Sequence, residues 1–84
     1  MTELKILKKK LLYRSSYRGT KEMDILLSSF VKEYIDKLNS TDLNDLNMLL
    51  DLEDEDIYNF YQNDILKKNI KLNNVLNLLK NFKL

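Results

Sequence analysis

The sequence predicts an all-α protein, a compact antiparallel bundle of about five helices in a single domain. Three observations predict it. Apolar residues recur at intervals of three and four along most of the chain, and nowhere do they alternate strictly as a half-buried strand requires. The polar links between these stretches are only a few residues long, which favours antiparallel neighbours. There is no proline, and Gly19 is the one glycine among 84 residues, so few sharp turns can be built.

The first helix is expected over residues 2–16, with Leu4, Leu7, Leu11 and Leu12 on one stripe and Thr2 as its cap. Gly19 marks the turn that follows it. The second helix carries the strongest pattern, over residues 20–38. Met23, Leu26, Leu27, Phe30, Val31, Tyr34, Ile35 and Leu38 form a wide core-facing stripe there. Glu22 and Asp24 lie in its first turn and Lys32 and Lys37 near its end, as the helix dipole favours. A polar link at 39–41 leads to a third helix over 42–50, with Leu43, Leu46, Leu49 and Leu50 inward. The fourth helix is expected over 55–62, capped by Asp54, with Ile57, Phe60 and Tyr61 as its apolar side. Residues 63–68 read as a loop. The fifth helix is expected over 69–81, with Leu72, Val75, Leu76, Leu79 and Phe82 inward.

Composition excludes several functions. Without cysteine there is no disulfide and no thiolate metal site; without histidine the commonest general base and zinc ligand are missing. Ser15, Ser16, Ser28 and Ser29 therefore lack a histidine to activate them, and the chain reads as a non-enzyme. No apolar run approaches the roughly 18 residues of a membrane span. The net charge of +1 lacks the basic excess of a dedicated nucleic-acid binder. The charge is segregated, however: about +6 over residues 1–21, −10 over 22–66 and +5 over 67–84. Such blocks either hold a fold together or present differently charged faces to a partner.

Four features have a functional reading beside a bland one. The segment from Arg14 to Asp24 holds both arginines, the only glycine and two first-turn acids. An arginine that persists among twelve lysines suggests use of its planar fork on a carboxylate, phosphate or carbonyl pair. Gly19 would let another surface approach closely, Glu22 is placed to aim Arg18, and Tyr17 would rim the contact. The bland reading is a helix-breaking glycine among surface charges. The acidic run 51–56 lacks the glycine and spacing of a calcium loop and reads as a helix start. Lys8, Lys9 and Lys10 among leucines read as an amphipathic anchor for membrane or nucleic acid, or as a solvated helix face. The tyrosines other than Tyr17 fall mostly at core spacing.

The order Arg18-Gly19-x-x-Glu22-x-Asp24, then Leu27, Phe30, Glu33-Tyr34 and Leu38, resembles the SdhE family, also called YgfY or CptB, and mitochondrial succinate dehydrogenase assembly factor 2. A leucine pair at Leu49-Leu50, an acidic stretch at Asp54-Glu55-Asp56-Ile57 and an aromatic at Phe60 continue the match, which runs from Leu11 to Leu79. Three positions depart from the pattern. Tyr17 stands where many members carry a second arginine, Glu55 where proline is common, and Phe60 where tryptophan is common.

The resemblance implies a five-helix bundle and an assembly factor. Such a factor binds the flavoprotein subunit of succinate dehydrogenase, and of the related fumarate reductase, and promotes its covalent FAD attachment. The bond forms autocatalytically to a histidine of the client, so this chain would hold no FAD stably. By position, Arg14, Tyr17, Arg18, Gly19, Glu22 and Asp24 would form the client contact, with Asp54 and Asp56 as a secondary one. Arg18 would supply any direct positive charge to the flavin, and Arg14 or Lys21 would make up for the arginine missing at Tyr17. A monomer working in a bacterial cytoplasm, near the inner membrane face, is expected, because no secretory or transit segment is seen. The alternatives are an antitoxin-like regulatory protein, or a small nucleic-acid or membrane-surface binder using the basic first helix.

Overall fold

A computed structural model of the chain describes residues 3–66 and 70–84. Five helices form: α1 (Glu3–Ser15), α2 (Lys21–Tyr34), α3 (Ser40–Leu50), α4 (Asp54–Asn63) and α5 (Asn74–Asn81). No strand occurs among the described residues. The all-α bundle expected from the periodicity is what the chain builds.

Local chemistry sets the helix starts. Thr20 is extended, and its hydroxyl accepts from the Met23 N–H at 3.2 Å, so α2 begins one residue later than the stripe suggested. Asn39 caps α3 in the same way, its side-chain oxygen taking the Asp42 N–H at 2.8 Å. At α4 the expected cap is corrected. Asp54 is the first residue inside the helix, and Glu53 precedes it without a side-chain cap bond. The Asp54 carboxylate is committed elsewhere. The Thr2 cap proposed for α1 lies outside the described residues.

Helix α5 is shorter than its apolar pattern. It starts at Asn74 rather than at 69, because the Asn73 side chain accepts from the Leu76 N–H at 2.8 Å and closes the first turn there. Leu72 consequently lies outside the helix and is exposed rather than inward. Asn73→Ala should lower stability by about 1 kcal/mol, or about 4–8 °C in Tm. Thermal unfolding checks this, and an unchanged Tm would show that the cap contributes nothing.

Two helix ends also differ from expectation. Helix α2 stops at Tyr34, and the Lys37 N–H bonds to the Tyr34 carbonyl in a tighter turn. Ile35 and Leu38 remain buried, so the stripe tracked burial past the end of the helical bonding. Asn63 belongs to α4, and Asp64 ends that helix in a left-handed conformation with φ 59°. Asp64 thus takes the place usually given to glycine, and its carboxylate pairs with Lys80 of α5 at 2.8 Å.

The core is assembled from α2 (Leu27, Phe30, Val31), α3 (Leu43, Leu46), α4 (Ile57), α5 (Val75, Leu79) and Leu11 of α1. Helix α1 packs on α2 and α3, and α5 packs on α3 and α4. Leu4, expected in the α1 stripe, is exposed, while Leu7 and Leu12 are half-buried against the core. Tyrosine burial is mixed. Tyr34 and Tyr61 pack against the core, and Tyr13 and Tyr58 are exposed despite their helical spacing. Packing α1 against α3 brings the turn after α1 beside the turn after α3, and that meeting point builds the site.

Candidate functional site

Arg14 and Arg18 both reach across from the end of α1 to the end of α3. Arg14 donates to the Asn47 carbonyl at 3.3 Å and to the Asn47 side-chain oxygen, and pairs with Asp51. Arg18 is more fully engaged. Its Nε donates to Asp54 Oδ1 at 2.8 Å, and Nη2 lies 2.7 Å from the same oxygen. Nη1 donates to the Leu50 carbonyl at 3.0 Å, and Nη2 to the Leu52 carbonyl at 3.1 Å. Leu50 ends α3, where orphan acceptors and the negative end of the helix dipole favour a cation, and Leu52 lies in the turn that follows. Arg18 meets a carboxylate and two separate carbonyls through three nitrogens spread over its planar fork, a reach that the single nitrogen of a lysine lacks.

Asp54 completes the junction. Its second oxygen accepts the Gly19 N–H at 2.8 Å. One carboxylate therefore holds both residues of the Arg18-Gly19 pair, and the Arg18 and Asp54 side chains are only 13% and 22% exposed. A Cβ added at Gly19 would lie 3.1 Å from Asp54 Oδ2. Glycine's φ is not positive here, so its need is space rather than backbone freedom. The close approach anticipated at Gly19 is thus made by the chain's own Asp54.

The residue before this pair carries the backbone strain. Tyr17 has φ 58° and is not a glycine, a conformation that costs an L-residue roughly 1–2 kcal/mol. Asp24 holds it there by accepting the Tyr17 N–H at 3.0 Å. The Tyr17 ring stands in solvent beside that of Tyr13, with centroids 5.8 Å apart.

The structure brings most of the sequence-derived candidates together. Arg14, Tyr17, Arg18, Gly19 and Asp54 line one shallow groove of about 590 Å³, with Thr20, Leu52, Glu53 and Glu55 completing it. Asp24 supports the groove from behind, and Asp56, half-buried in α4, is not in its lining. Two expectations change. Glu22 does not aim Arg18; it is exposed, and its side chain has no partner among the described residues, whereas Asp54 does the aiming. The Arg18 fork points at its own chain rather than outward. Asn47, Asp51 and Tyr13 are further parts of the junction; Asp51 read only as part of an acidic helix start, and Asn47 and Tyr13 carried no signal. Their partners are distant in the chain or, for Tyr13, the spacing suggested burial.

The surface so built offers an aromatic ring, a bare backbone and acidic edges, held by internal ion pairs. It contains no nucleophile paired with a base. Among the described residues no group of three or more acidic side chains is placed to hold a metal ion, and no helix is long and apolar enough to cross a membrane. Fold and site together describe a small helical bundle with one internally clamped turn that presents an aromatic ring to solvent.

The family model described as flavinator of succinate dehydrogenase matches residues 9–83, and the chain belongs to that family. It is similar to succinate dehydrogenase assembly factor 2, mitochondrial, of Dictyostelium discoideum, at 47% identity over 68 residues, covering 81% of this chain and 45% of that protein. The factor of the same name from Meyerozyma guilliermondii is 45% identical over 51 residues, covering 61% and 38% of the two chains. That from Scheffersomyces stipitis is 40% identical over 55 residues, covering 66% and 37%. The chain spans less than half the length of these relatives. No solved structure matches it. The relatives are mitochondrial proteins of eukaryotes, which corrects the bacterial cytoplasmic placement expected from the sequence. That placement rests on the first residues of this chain alone, and these say nothing about how longer relatives are addressed.

Proposed function

We propose that this chain binds the flavoprotein subunit of succinate dehydrogenase, and of the related fumarate reductase, and promotes covalent attachment of FAD without catalysing it. The family match over residues 9–83 supports the link to succinate dehydrogenase, and the mitochondrial relatives support a mitochondrial place of action. The flavin and the histidine that bonds to it belong to the client, and this chain holds no FAD of its own.

The observation that carries the reading is the clamped turn, with Tyr17, Gly19 and Glu22 on its outer side. A rigid contact of this kind can hold the client in the orientation that brings histidine and flavin together, which is worth several orders of magnitude in effective concentration. Because the Arg18 charge is turned toward Asp54 and two carbonyls, positioning is favoured over direct stabilisation of negative charge on the flavin.

In-gel flavin fluorescence of the denatured flavoprotein tests this, because denaturation removes FAD that is not covalently held. The signal should fall without this gene and return with the wild type. Gly19→Arg should restore less than about a tenth of it, since the new side chain must displace Asp54 and cover the contact. Gly19→Ala, which needs a shift of only a few tenths of an ångström, should restore an intermediate level. Unchanged fluorescence without the gene, together with no binding of the flavoprotein, would refute the proposal.

A further inference from the structure

Helix α1 has two faces that both carry apolar side chains, and only one of them meets the core. Leu7, Leu11 and Ser15 turn inward. Ile6, Lys9, Lys10 and Tyr13 fall at i, i+3, i+4 and i+7, an arc of about 100° on the opposite side. Ile6 is 54% exposed and Tyr13 71%, and the stripe continues through the ring contact into Tyr17, 83% exposed. Lys9 and Lys10 are exposed and make no ion pair or hydrogen bond among the described residues, whereas the neighbouring Lys8 is paired with Asp36 at 3.3 Å. Two free cations therefore sit between an isoleucine and two tyrosines, and the stripe ends on the strained residue of the clamped turn.

We propose that this outer stripe of α1 is a second docking surface, continuous with the turn, and that it seats an acidic patch of the flavoprotein client. The inference rests on the client reading above. The charge and the side-chain types select the occupant. Exposed tyrosines are the residues that concentrate binding energy when a protein partner covers them, and unpaired lysines at their side select an acidic surface and speed its approach. A nucleic acid is disfavoured, because two free lysines on a chain of net charge +1 make a poor phosphate track. A lipid surface is disfavoured too. Interfacial helices insert a broad apolar face, and the broad apolar face of α1 is the one packed in the core. The strained Tyr17 backbone fits the same purpose, since its conformation keeps the ring at the junction of stripe and turn.

The test is the affinity of the intact chain for purified flavoprotein subunit lacking covalent flavin, measured by calorimetry at low and moderate salt. The Lys9→Glu/Lys10→Glu double variant should bind at least about tenfold more weakly, and wild-type affinity should fall about tenfold between 50 and 300 mM salt. Tyr13→Ala should also lose about tenfold. Lys9→Arg/Lys10→Arg should bind like the wild type. All three positions are exposed, so thermal unfolding should stay within about 2 °C of wild type. Equal binding by the charge-reversed and wild-type chains would overturn the docking surface and leave the client reading standing. Failure of the wild type to bind the flavoprotein would overturn both. Charge reversal that abolishes binding to single-stranded RNA or phosphatidylserine vesicles, while sparing the flavoprotein, would overturn the proposed occupant.

Discussion

Phe30→Ala is expected to lower stability by about 3–5 kcal/mol, the largest loss from any single truncation in this protein. Phe30 is fully buried on α2. Its ring meets Tyr34 at 5.1 Å and Phe82 edge-on at 5.4 Å, and Tyr34 meets Phe82 at 6.3 Å. This trio closes the segment after α5 onto α2, and the Tyr61 hydroxyl adds a 2.7 Å hydrogen bond to the Phe82 carbonyl. Truncation removes the transfer energy of the ring, leaves a cavity, and forfeits two aromatic contacts of about 0.5–1.5 kcal/mol each. At about 0.05–0.15 kcal/mol per residue, a chain of 84 residues has only about 4–12 kcal/mol in total. A quarter of that margin or more therefore depends on one ring. Urea unfolding followed by circular dichroism checks the loss; Phe30→Leu, which fills more of the space, should cost about 1–2 kcal/mol. A loss below about 1 kcal/mol for Phe30→Ala would show that the trio does not close the bundle.

The same helix shows what a sequence makes legible. The α2 stripe identified Met23, Leu26, Leu27, Phe30 and Val31 as core, and all five are buried. Apolar periodicity reports which side chains leave water, and on α2 it even followed Ile35 and Leu38 into the turn. It does not report where backbone bonding stops. That depended on small competitions, such as Asn73 taking the Leu76 N–H and so leaving Leu72 outside α5. Two-sided helices defeat the pattern in another way. On α1 both faces carry apolar residues, so spacing alone gave no reason to expect Tyr13 in solvent; Leu4, on the inward side but at the start of the helix, is exposed all the same.

The site was legible as a segment and not as a mechanism. Both arginines, the glycine and the acids of 14–24 stood out by composition, and most of them do gather around one groove. Asp54 stood out as well, as a helix cap and, by resemblance, as a secondary contact, but not as the partner of Arg18. The partnership of Arg18 with Asp54 spans 36 positions, and nothing local encodes a contact at that separation. A nearby acid, Glu22, offered a simpler partner and the fold passed it over. Packing of α1 against α3 decided the matter, because it placed the Arg18 fork over carbonyls at the end of α3 and in the turn after it.

Asp54 is accordingly where stability and contact geometry meet. Asp54→Ala is expected to lower stability by about 2–3 kcal/mol. Breaking a fully buried pair costs about 3–5 kcal/mol, and the figure here is reduced because both side chains keep some contact with water and Arg18 keeps its two carbonyls. Arg18→Ala should cost a similar amount. Since each variant removes the same clamp, the double variant should lose little more than either single one, giving a coupling energy of about 1–3 kcal/mol in a double-mutant cycle. Asp54→Asn, which keeps acceptor capacity without charge, should fall between wild type and Asp54→Ala. Amide hydrogen exchange separates a local effect from a global one. The Gly19 amide, which donates to Asp54 Oδ2, should exchange faster in Asp54→Ala by more than the change in global stability explains. Additive energies in the cycle, with Gly19 exchange unchanged relative to the core, would show that the turn is held by other contacts. The expected outcome instead makes Asp54 the residue that positions both Arg18 and Gly19.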